Sequence, residues 1–112
     1  MDIRIEEKSD LALIHISGHA LGGPDGAVLH EKLHLLKDKG LKNVVVNLSD
    51  VGFMNSSGLG MLISGMTTLR NAGGDLRLSA LPEKVRTLLV VTKLSTVFKV
   101  FDTDDDAMAS FA

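Results

Sequence analysis

The sequence predicts an α/β domain in which an N-terminal β-hairpin is followed by alternating helices and strands, giving a mixed sheet of roughly four to five strands covered by about four helices. Three observations carry this. Ile3 and Ile5 alternate with Arg4 and Glu6, the period of a half-buried strand. Val44, Val45 and Val46 run without alternation, as in a parallel strand buried on both faces. Leu59, Leu62, Ile63, Met66 and Leu69 recur at spacings of three and four, one face of an amphipathic helix. The 112 residues are read as one domain, 1–112, large enough for a single core.

Taken in order, the first strand turns at the polar pair Ser9-Asp10 into a second, Leu11 to Ser17, which completes the hairpin. Gly18 to Gly26 reads as a loop, punctuated by Gly22, Gly23, Pro24 and Gly26. Pro24 suits the first turn of a helix, where its missing amide would be unpaired anyway. Leu29, Leu33 and Leu36 supply the helix's apolar stripe, and Gly40 stops it after Lys37 and Lys39.

A third strand is expected from about Asn43 to Leu48, a second helix from about Ser56 to Asn71, and a stop at Gly73-Gly74. Leu76 and Leu78 mark a fourth strand. Pro82 opens a third helix carrying Val85, Leu88 and Leu89, and Val97 to Val100 is a short strand candidate. Thr103 followed by Asp104, Asp105 and Asp106 caps a closing helix that would bury Ala107, Met108 and Phe111.

Composition excludes several classes. There is no cysteine, hence no disulfide framework or thiolate metal site. A formal net charge of −2, with no Trp, no Tyr and four Phe, supplies neither the basic patch nor the stacking platform of a direct nucleic-acid binder. No apolar run approaches the roughly 20 residues of a membrane span, and Met-Asp-Ile-Arg-Ile-Glu-Glu-Lys is no signal peptide. A cytoplasmic location is expected.

The most informative stretch joins the valine-rich strand to the second helix: Val51-Gly52-Phe53-Met54-Asn55-Ser56-Ser57-Gly58-Leu59-Gly60. It reads as a strand-to-helix loop beyond the carboxyl end of a parallel strand, where sites on such sheets gather. Asn55 is placed to cap the helix by accepting from an amide of its first turn. Ser57 then lies in that turn, where the helix dipole tolerates an anion. At 100° per residue, Met61, Ser64 and Thr68 share the face of Ser57, opposite the stripe through Leu59, Ile63 and Met66. An apolar Met61 outside the core stripe suggests a partner surface.

Rival chemistries fare worse. His30-Glu31-Lys32-Leu33-His34 satisfies the spacing of a zinc peptidase helix. With Leu29, Leu33 and Leu36 inward, however, His30 and His34 fall about 100° and 140° around from Leu29, toward solvent. The remaining histidines, His15 and His19, lie upstream, so no third ligand follows the protease pattern. The pair is read as solvated, with surface binding of a divalent metal as the alternative; no metal site or cofactor is expected. Gly58-Leu59-Gly60 lacks the third glycine of a dinucleotide fingerprint, since Ile63 stands there, and Asn55 stands where a nucleophile elbow around Ser57 needs glycine.

The run 51–60 resembles the signature loop of the STAS domain, the family of bacterial anti-sigma factor antagonists. The resemblance extends through Ile16-Ser17-Gly18, the strand Val44 to Leu48, Gly73 to Leu78 and Leu94 to Thr103. It implies that Ser57, second of the serine pair, is phosphorylated by a partner that is both anti-sigma factor and serine kinase. A metal-dependent serine phosphatase would reverse the modification. By the same resemblance the chain is a substrate and not an enzyme. Independently of it, a weak homodimer is admitted. Asn55, Ser56, Ser57, Gly58, Gly60, Met61 and Ser64 form the implied partner surface. Asn55 orients the loop, Gly58 and Gly60 grant access, and Met61 with Ser64 extends the contact.

Two positions depart from the family pattern. Asn55 stands where aspartate is usual, keeping the capping geometry while removing a negative charge, and Gly22-Gly23-Pro24 precedes the first helix where a polar cap is more common. The alternative function is a constitutive scaffold or transporter-associated module in which Ser57 is never modified.

Overall fold

The computed structural model describes residues 1–112. Strands β1 (Asp2–Glu7) and β2 (Ala12–Ala20) form the hairpin. They are followed by α1 (Pro24–Asp38), β3 (Asn43–Met54), α2 (Ser56–Asn71), β4 (Asp75–Ser79), α3 (Glu83–Val91), β5 (Val100–Phe101) and α4 (Asp104–Ala109). The sheet order is β1-β2-β3-β4-β5, antiparallel at β1-β2 and parallel thereafter. The predicted α/β architecture, a mixed sheet with four helices, is what the chain adopts.

Because the parallel strands advance one place at a time, right-handed crossovers put all three connecting helices on one face. Leu29, Leu33 and Leu36 of α1, Leu59, Leu62, Met66 and Leu69 of α2, and Val85 and Leu89 of α3 accordingly share one core with Ile14, Ile16, Val44, Val46, Leu48, Leu76 and Leu78 of the sheet. The opposite face is covered by α4, which seals Leu13 and Val45 beneath Ala107. Met108 and Phe111 are partly buried at its edge.

Polar groups on that second face are tied together. Asp104 at the start of α4 accepts from Asn47 Nδ2 at 2.8 Å and from Ser79 Oγ at 2.7 Å, linking the helix to β3 and β4. Asp75 accepts from Arg70 Nε at 2.8 Å, Arg77 Nε at 3.1 Å and the Leu76 amide at 2.9 Å. Burial disfavours the Asp75 carboxylate, yet these donors outweigh it and hold its pKa below the ordinary value.

Three boundaries differ from expectation. β2 runs through Gly18 to Ala20, and the fifth strand is Val100–Phe101, not Val97 to Val100. The largest difference is β3, which continues past Leu48 to Met54. Its pairing with β2 passes from His15↔Asn47 to Ser17↔Asp50, then from Gly18↔Val51 to His19↔Phe53. Each step inserts one extra residue into β3, as a β-bulge does. After the buried residues Val44, Val46 and Leu48, the inward positions therefore become Val51 and Met54, three apart instead of two.

Candidate functional site: the strand-to-helix junction at Ser57

The bulged end of β3 delivers the chain into α2, and Asn55 is the hinge. Its backbone is extended, and its side-chain Oδ1 accepts from the Gly58 amide at 2.8 Å, the expected cap. Ser56 and Ser57 follow in the first turn, both exposed, and no acidic side chain lies in that turn to offset the positive helix end.

Two glycines fit the junction to its neighbours. Gly58 is buried against the end of β2, where the Ala20 carbonyl oxygen and Met54 Cγ occupy the space that a Cβ would need. Gly22, at φ +78°, lies against Ser57 itself. A Cβ there would stand 2.8 Å from the Ser57 carbonyl oxygen and 3.0 Å from Ser57 Cβ. Gly22 and Gly23 thus form the wall beside the serine. Gly60 has open space around its Cβ position and is exposed.

Between α1 and the start of α2 lies an open depression of about 350 Å³, lined by Gly22, Gly23, Gly26, Ala27 and His30 on one side and by Ser57, Met61, Ser64 and Gly65 on the other. His30 is its only titratable side chain. The structure therefore brings together Ser57, Met61 and Ser64 of the expected residues. Asn55 supports them from behind, and Ser56 and Gly60 face solvent outside the depression.

Met61 corrects an expectation. It is 7% exposed and belongs to the core, because α1 crosses that side of α2. Gly26 of α1 comes close enough that its Cβ position is 3.8 Å from Met61 Cγ. Met61 contributes the floor of the depression and not a protruding contact. Gly65 permits the close approach of the helices, its Cβ position lying 2.6 Å from Leu33 Cδ1.

Sequence reasoning missed Phe53, which is 48% exposed two residues before the cap. Its ring meets His19 edge-on at 6.0 Å. Together with Met54, Leu88 and Val91 it borders a second groove, about 520 Å³, between the end of β3 and α3. The signal that could have revealed it is the out-of-step spacing of Val51 and Met54. As for the zinc peptidase motif, no group of three or more His, Asp or Glu side chains comes together to hold a metal. No helix is long and apolar enough to cross a membrane.

The STAS domain family model matches residues 2–107. A Thermotoga maritima protein provisionally named an anti-sigma factor antagonist is 31% identical over 86 residues, covering 70% of this chain and 76% of that protein. The anti-sigma-B factor antagonist of Bacillus subtilis is 33% identical over 73 residues, 65% of this chain and 66% of that protein. Among solved structures, the anti-sigma factor antagonist SpoIIAA in its unphosphorylated form superposes with a TM-score of 0.82 at 18% identity, covering 98% of this chain and 96% of that one. Bacillus SpoIIAA in the phosphorylated form gives 0.75 at 17% identity, covering 99% and 100%. The structural likeness speaks for the fold, and the family model with the sequence relatives speaks for descent: the chain belongs to the STAS domain family, alongside the anti-sigma factor antagonists.

Proposed function

We propose that this protein is an anti-sigma factor antagonist whose unmodified Ser57 surface binds an anti-sigma factor that is also a serine kinase, releasing a sigma factor. Phosphorylation of Ser57 by that partner ends the binding, and a serine phosphatase restores it. The protein works in the cytoplasm, where its partners are, and performs no catalysis itself. The observation that carries the reading is the exposed Ser57 in the first turn of an Asn55-capped helix free of acidic neighbours, beside an open depression.

The physical basis is local. A phosphate adds about −1.5 to −2 charges at neutral pH, and the helix end tolerates it without refolding. A partner packed over Ser57 in the unmodified state would have to bury that dianion unpaired, which disfavours the complex strongly. Asn55 keeps the cap without placing a carboxylate next to the acceptor, so the incoming phosphoryl group meets hydroxyls, glycine and His30.

The test is phosphosite mapping. After incubation with ATP and an anti-sigma factor of the histidine-kinase-like ATP-binding type from the same organism, intact mass should rise by one phosphate, located on Ser57 and absent from Ser57→Ala. Phosphate elsewhere, or none with an active kinase, rejects the switch and favours the constitutive scaffold.

A further inference from the structure

His34, and its pairing with His30 on α1, stand outside the function proposed above. His30 and His34 are one helical turn apart, so both project from the same side of α1. Their rings meet edge-to-face with centroids 4.3 Å apart. His30 is exposed and His34 half-buried, so the pair opens to solvent. Two imidazole nitrogens each about 2.0–2.1 Å from one ion place their ring centres about 4.5–5 Å apart, close to the 4.3 Å at which the two rings already stand.

We propose that His30 and His34 form a two-histidine site for a divalent transition metal ion of borderline softness, Cu²⁺, Ni²⁺ or Zn²⁺, the ions that imidazole suits. Since no third His, Asp or Glu side chain joins the pair, the ion keeps its remaining positions for water or an exogenous oxygen ligand. Such a site is open and exchangeable, unlike the closed four-ligand sets that hold structural zinc. It requires neither a buried setting nor a third protein ligand, and so survives the objections that remove a zinc peptidase. Its position matters because His30 also lines the depression beside Ser57. An ion held there lies at the edge of the surface on which the serine is displayed, with open positions that an oxyanion can fill.

The experiment is isothermal titration of tag-free full-length protein with Cu²⁺, Ni²⁺ and Zn²⁺ in a non-coordinating buffer above the imidazole titration range. It is repeated on His30→Ala, His34→Ala and, as controls, His15→Ala and His19→Ala, with circular dichroism confirming that each variant is folded. One ion per chain is expected, with Cu²⁺ tightest of the three. Loss of either His30 or His34 should weaken binding by at least the roughly 10–100-fold that loss of an outer-shell partner costs, while the two controls retain wild-type affinity. Binding that survives either substitution on α1, follows His15 or His19 instead, or is undetectable in the wild type would overturn the proposal.

Discussion

The carbonyl oxygen of Ala20 fills the place where any side chain at Gly58 would begin. The carboxyl end of β2 and the first turn of α2 are thereby held in backbone contact, which fixes the height at which Ser57 emerges. Gly58→Ala should force the two elements apart and destabilise the domain by about 3 kcal/mol or more, the upper range of overpacking effects. Gly60→Ala, two residues on and facing open space, should instead stabilise the helix by about 0.5–1 kcal/mol. Urea unfolding of the two variants checks both signs at once.

The hydrogen bond from the Gly58 amide to Asn55 Oδ1 makes a second prediction. Asn55→Ala removes the cap and should cost about 1 kcal/mol. Asn55→Asp keeps the acceptor and adds a negative charge at the positive end of α2, so stability should rise by about 0.3–1 kcal/mol at low salt. Chemical denaturation at two ionic strengths separates the cap from the dipole contribution, since only the latter is screened.

Asp75 gives the domain a defined acid sensitivity. Burial opposes its charge, but hydrogen bonds from Arg70, Arg77 and the Leu76 amide prevail and lower its folded-state pKa. A depressed carboxyl pKa contributes stability that is fully present above the unfolded value, about 3.9, and is lost as pH falls through the folded value. Asp75→Asn should therefore cost about 2 kcal/mol at neutral pH, within the range for hydrogen bonds to a charged group. It should also flatten the fall in stability below about pH 4. Melting temperatures across the acid range of both proteins provide the comparison.

The order of elements was legible because each buried face keeps one period. Leu29, Leu33 and Leu36 mark α1, and Leu76 and Leu78 mark β4, in sequence and structure alike. What misled was a break in period. Beyond Leu48 the alternation fails because two bulges in β3 move the inward positions to Val51 and Met54, so residues of a paired strand read as loop. The exposure of Phe53 was hidden for the same reason. Met61 was misplaced by a different effect, since a helix covered on one side by the sheet and on another by α1 buries more than one stripe. Periodicity within α2 carries no information about α1. The cap at Asn55, by contrast, depends on residues three apart in sequence, and it was readable for that reason.

The measurement that tests the central claim most directly is the affinity of the wild type, Ser57→Ala and Ser57→Asp for the anti-sigma factor partner, with the fold of each variant checked by thermal unfolding. Ser57 is exposed, so all three should unfold within about 0.5 kcal/mol of one another, as surface substitutions do. The account predicts that the wild type and Ser57→Ala bind comparably, while Ser57→Asp loses at least about tenfold, or 1.4 kcal/mol, of affinity. Equal binding by all three proteins would contradict it and leave Ser57 as part of a helix start that the partner does not read.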